Sequence, residues 1–109
     1  MLRVQSIRRP LLVLLLCTLG LHGCGSGEPP PRTEAERAAR AQALIETGNE
    51  AYRAGDYRLA ARRYAAAAVV RKDDPAAYFG MGMALSKLGR HEEAHAAYER
   101  SRELAQKQR

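Results

Sequence analysis

The chain has 109 residues, 46% of them hydrophobic, with no Trp, one Phe and five Tyr, and a formal charge of +6. That length allows one small domain, and an apolar fraction supplied largely by alanine favours closely packed helices over a thick aliphatic core. The charge is not a nucleic-acid signature: Arg3, Arg8 and Arg9 stand at the N-terminus, and the other basic residues alternate with the acidic ones as on solvated helix faces.

The chain opens with a basic segment, "MLRVQSIRRP", followed by the apolar run "LLVLLLCTLGL" at 11–21. A bilayer core needs about 20 apolar residues, so this run is too short to span one. Basic, then apolar, then small residues is the order of a secretory signal peptide, predicted over 1–23. The strongly apolar run after Arg8–Arg9 favours the general secretory route over a twin-arginine one.

The segment Leu21-His22-Gly23-Cys24 resembles the lipobox of bacterial lipoproteins at Leu21, Gly23 and Cys24, with His22 departing from the usual small or hydroxyl residue. The resemblance implies cleavage between Gly23 and Cys24 and a covalent lipid on the Cys24 thiol, with no other cofactor. Cys17 falls within the signal, so the processed chain holds a single Cys and forms no intramolecular disulfide. Two or three acyl chains anchor a protein stably, each buried methylene contributing about 0.8 kcal/mol. Residues 24–32 then read as a tether: Gly-Ser-Gly is flexible, and Pro29–Pro31 is extended. Gly25 is not the Asp of inner-membrane retention, so the resemblance implies an outer-membrane anchor facing the periplasm.

From Thr33 the texture changes. Thr33 and Glu36 have the spacing of a capping box, opening a helix that runs to about Arg53. Gly55-Asp56 marks a turn, and 57–71 reads as a second helix. Asp74 is an N-cap with Pro75 at the first helical position of a third helix, to about Leu88. Gly89 breaks it, and 91–106 forms a fourth. No window alternates as a strand does, so residues 33–109 are expected to form an all-α domain.

Residues 41–74 and 75–108 align without a gap at a shift of 34. Ala43 meets Ala77, Gly48 meets Gly82, Gly55 meets Gly89, Ala60 meets Ala94, and Tyr64 meets Tyr98. These are positions where antiparallel helices touch or turn, with the tyrosines as knobs between helices. Period and pattern resemble the tetratricopeptide repeat, carried by "GNEAYRAGDYRLAARRYAAA" (48–67) and "GMALSKLGRHEEAHAAYERS" (82–101). Thr47 and Met81 stand where the family has Leu, and the Pro near the end of the unit is absent. The resemblance implies two stacked helix–turn–helix units in a short right-handed solenoid. Ala94, Ala97, Tyr98 and Leu104 on the last helix exceed what one neighbour is expected to cover, which favours self-association or a docked partner.

No catalytic constellation is present, and an enzyme is not expected. His91 and His95 share a helix face at a metal-binding spacing, but two ligands are too few for a structural site, so no metal is expected. The repeat pattern predicts that both pack between helices. In the family, ligands lie along the first helix of each pair. The matching positions are Gln42, Ile45, Asn49, Tyr52 and Arg53, then Phe79, Met83, Ser86 and Lys87. Ile45, Phe79 and Met83 offer apolar anchors, Asn49 an amide, and Arg53 and Lys87 positive charge, a mix suited to a peptide or partner helix. Tyr52 and Phe79 have an alternative reading as filling between repeats. Ile45 replaces a base of the family's carboxylate clamp, so binding of chaperone tails is not expected. The expected role is a membrane-anchored adaptor that holds a protein partner in a bacterial envelope assembly. The alternative is a structural lipoprotein that oligomerises with itself.

Overall fold

A computed structural model describes residues 27–109. The signal peptide, the Leu21–Cys24 motif with its cleavage and lipidation positions, and Gly25 lie outside the described residues. Four helices follow in order: α1 (Glu34–Arg53), α2 (Tyr57–Val70), α3 (Pro75–Lys87) and α4 (His91–Lys107).

Local chemistry explains each start and stop. At α1 both halves of the capping box are made: Glu36 N donates to Thr33 Oγ1 at 3.1 Å, and Thr33 N donates to Glu36 Oε2 at 3.2 Å. Asp56 accepts from Leu59 N at 3.0 Å to start α2, and Asp74 accepts from Ala76 N at 3.0 Å to start α3. Arg90, at the start of α4, makes no side-chain cap. Its Nε donates to Glu93 instead, at 2.8 Å.

The two hairpin turns are copies of one another. Gly55 (φ 80°) and Gly89 (φ 76°) are left-handed, a conformation that Cβ-bearing residues adopt at a cost. Gly55 N donates to Tyr52 O at 3.0 Å and Asp56 N to Ala51 O at 2.9 Å; Gly89 N and Arg90 N make the equivalent bonds to Ser86 O and Leu85 O. This is the Schellman arrangement, which satisfies carbonyls that each helix end would otherwise leave bare.

Helix α1 packs on α2, α2 on α3 and α3 on α4, with a lighter contact between α1 and α3. The chain is thus an all-α, helix–turn–helix repeat solenoid. Its core is mostly alanine: Ala41, Ala60, Ala67, Ala77 and Ala84 are fully buried around Tyr64, which is 1% exposed. Small side chains let the helix axes approach, and one large ring fills the space where three helices meet. A methyl group at Gly48 would lie 2.9 Å from Tyr64 Cε1, and one at Gly80 would overlap the same ring. Gly82 repeats the first relation, at 2.6 Å from Tyr98 Cε1.

Two expectations are corrected. Ala94, Ala97 and Leu104 of α4 are buried within the chain, leaving only Tyr98 of that set half-buried. Helix α3 covers them, and two bonds fasten the far end of the hairpin. Ser101 Oγ donates to Pro75 O at 2.8 Å, and Gln108 Nε2 to Asp73 O at 2.6 Å. His91 and His95 do not pack between helices; both are exposed. Their counterparts Tyr57 and Ala61 are half-buried because α2 has a neighbour on each side, whereas among the described residues α4 packs on α3 alone.

Candidate interaction face

The face predicted to bind a partner is built by α1 and α3, the first helix of each hairpin. Its nine residues divide into three groups. Ile45 is 7% exposed and belongs to the core, so it is no anchor for a ligand. It sits one turn from Ala41 on the α1 stripe that meets α2 and α3. Tyr52 is half-buried against the same core, and its ring meets Tyr57 edge-on with centroids 5.2 Å apart. Asn49 is half-buried, and its Oδ1 accepts from the Tyr64 hydroxyl at 2.6 Å. That bond leaves the Asn49 amide nitrogen as the group able to reach a ligand. Burial pushes the Tyr64 hydroxyl up from its ordinary pKa, Tyr52 adding to the shift and Arg53 opposing it, so it stays a neutral donor.

The remaining residues are accessible. Phe79 is 52% exposed, and its ring packs on Tyr98 with centroids 5.5 Å apart. Met83 and Ser86 are half-buried on the same helix. Gln42 is exposed and donates to Glu46 at 3.1 Å. Arg53 and Lys87 form no ion pair among the described residues, as is also true of Arg32, Arg40, Arg58, Arg62, Arg63, Lys72 and Arg109. Lys87 Nζ lies 5.9 Å from the centroid of the Tyr57 ring, within cation–π range. The turn edge of the face therefore combines a Tyr52–Tyr57 pair with two cations free to meet a carboxylate, and Phe79 and Met83 add an apolar patch. Tyr57 is absent from the sequence expectation because it begins α2, and only the hairpin fold carries its ring to Tyr52.

A groove of about 1280 Å³ lies elsewhere, where residues 27–32 run beside α1 and α2. Arg40 Nη1 donates to Pro29 O at 3.3 Å, and Pro29–Pro31 form one wall over Leu44, Val69 and Val70. Among the described residues, no helix is long and apolar enough to cross a membrane.

This geometry gives residues 75–107 the shape of one repeat unit with its own turn, cap and aromatic knob. Residues 75–107 match the family described as tetratricopeptide repeat. Residues 41–74 reproduce the turn glycine, helix-contact glycine and tyrosine of that matched unit at the same spacing. No curated protein and no solved structure matches the chain. Tetratricopeptide repeats generally mediate protein–protein interaction.

Proposed function

We propose that the protein is a lipid-anchored adaptor of the bacterial envelope, without catalytic activity, which holds a protein partner on the α1–α3 face. One observation carries the binding part of this reading. Phe79 is a large apolar side chain left half-exposed, on the same face as two cations without ion-pair partners. Phe79 with half-buried Met83 and Tyr98 makes an apolar patch rimmed by charge, the composition of an interaction surface. The face suits a peptide or helix with an apolar side chain for Phe79 and Met83 and a carboxylate for Arg53 and Lys87. The anchor part rests on the sequence around Cys24 and implies attachment at the outer membrane, facing the periplasm.

Self-assembly has less support. The α4 surface that motivated it is largely covered by α3, as the burial of Ala94, Ala97 and Leu104 records.

The test has two arms. Photo-crosslinking from the full chain in its native host should yield a discrete partner, and Phe79→Ala/Met83→Ala should abolish the crosslink while helicity is retained. Unchanged capture by that folded double variant rejects the face. Separately, Cys24→Ala should leave an uncut, unacylated precursor. A processed, membrane-bound Cys24→Ala protein rejects the lipid anchor and leaves the binding face standing.

A further inference from the structure

The two hairpins are alike in sequence but not in what covers them. In the first, Tyr64 is enclosed on one side by Gly48 of its own hairpin and on the other by Gly80 of α3. In the second, Gly82 encloses one side of Tyr98, but no element among the described residues takes the place beside α4 that α3 takes beside α2. Exposure follows: Ile45 is 7% exposed and its counterpart Phe79 is 52% exposed, while Tyr64 is buried and Tyr98 only half-buried. The Phe79–Tyr98 pair is thus half of a socket whose other half the same chain displays one repeat earlier.

That internal copy specifies what fits. Helix α3 meets the first hairpin with Ala77, Gly80 and Ala84, all buried. Glycine is needed at the centre, because a methyl group there would overlap the Tyr64 ring. A second copy of this chain does not offer such a helix, because the stripe on its α3 is buried against its own α2. Its α1 carries Ala43, Glu46 and Glu50 at the positions 34 residues before Ala77, Gly80 and Ala84. In the same register Glu46 would stand where α3 has Gly80, a position at which the ring of the first hairpin admits no side chain.

The open face is also built to stand in water. Where the first hairpin has Ala61, Ala65 and Ala68, the second has His95, Glu99 and Arg102, all exposed. Glu99 Oε1 lies 3.2 Å from Arg102 Nη1 and 3.7 Å from His95 Nε2. An apolar centre with a polar rim is the anatomy of an interface that forms and dissolves, rather than of a permanent stacking surface.

We infer that the outer face of the second hairpin, centred on Phe79 and Tyr98, docks a helix of a partner protein bearing an Ala-x-x-Gly-x-x-x-Ala stripe. This rests on the reading of the chain as an interaction module; the socket shares Phe79 with the α1–α3 face but not Arg53 and Lys87 at its turn edge.

The probe is a helix-stapled peptide with the sequence of α3, Pro75–Lys87, labelled with fluorescein and titrated against the full chain by anisotropy. Saturable binding is expected. Carrying Gly80→Leu in the peptide, or Phe79→Ala in the protein, should weaken it at least about tenfold. Lys87→Glu in the protein should leave it unchanged. Absence of binding by the stapled peptide, or equal binding by its Gly80→Leu form, overturns the inference. Sensitivity to Lys87→Glu without sensitivity to Phe79→Ala places the peptide at the turn edge, which removes this socket and keeps the adaptor reading. Light scattering of the full chain covers the remaining occupant: a concentration-dependent dimer dissolved by Phe79→Ala would assign the face to a second copy and overturn the partner helix.

Discussion

Tyr64 and Gly80 meet across the boundary between the hairpins so closely that the glycine hydrogen is the largest group the ring admits. The contact joins one repeat to the next, because Tyr64 belongs to α2 and Gly80 to α3. Gly80→Ala should therefore destabilise the fold by about 1–3 kcal/mol through overpacking. Urea unfolding of the single variants and of Gly80→Ala/Tyr64→Leu gives the check. The alanine should cost clearly less once the ring has gone, and simple additivity would show that the two residues do not conflict.

Ile45 and Phe79 occupy equivalent positions with opposite surroundings. Ile45→Ala should cost about 2–4 kcal/mol as a core truncation, and Phe79→Ala less than about 1 kcal/mol. Equal losses in chemical denaturation would mean that Phe79 is a core residue and not an interaction surface.

The hairpin turns and the α4 start respond to backbone chemistry. Gly55→Ala and Gly89→Ala should each cost about 1 kcal/mol, because the left-handed conformation penalises a Cβ. Arg90→Asp should raise the melting temperature, since the equivalent Asp56 already caps α2 while Arg90 caps nothing. Thermal unfolding by circular dichroism resolves both, and a lowered melting temperature for Arg90→Asp would mean that its contact with Glu93 matters more than the vacant cap.

Glu36 and Glu103 set the acid limb of stability. The Arg32 amide, then that of Thr33, holds the Glu36 carboxyl below its ordinary value of 4.5. Lys107, then Arg100, does the same for Glu103. A carboxylate whose folded pKa is depressed contributes stability above the unfolded pKa and loses it as pH falls through the folded one. Stability should thus decline below about pH 4.5, and Glu36→Gln should flatten that decline at the cost of a lower plateau at neutral pH. Melting temperatures from pH 7 to 3 test this; an unchanged acid slope would remove Glu36 from the account.

What the sequence determined by itself is local or periodic. Thr33–Glu36, Asp74–Pro75 and the turn glycines act within a few residues, so their chemistry is readable from short strings. The 34-residue period repeats those strings and pairs the tyrosines with their contact glycines. The tertiary structure decided which copy of each position is covered. Ile45 and Phe79 carry the same pattern, yet a third helix lies over one and not the other. The same asymmetry leaves His91 and His95 in solvent and gives Gly80 a role that its neighbours in sequence do not signal. Burial at a repeat boundary is set by the helix on the far side, and that helix is distant in the chain from the residue it covers.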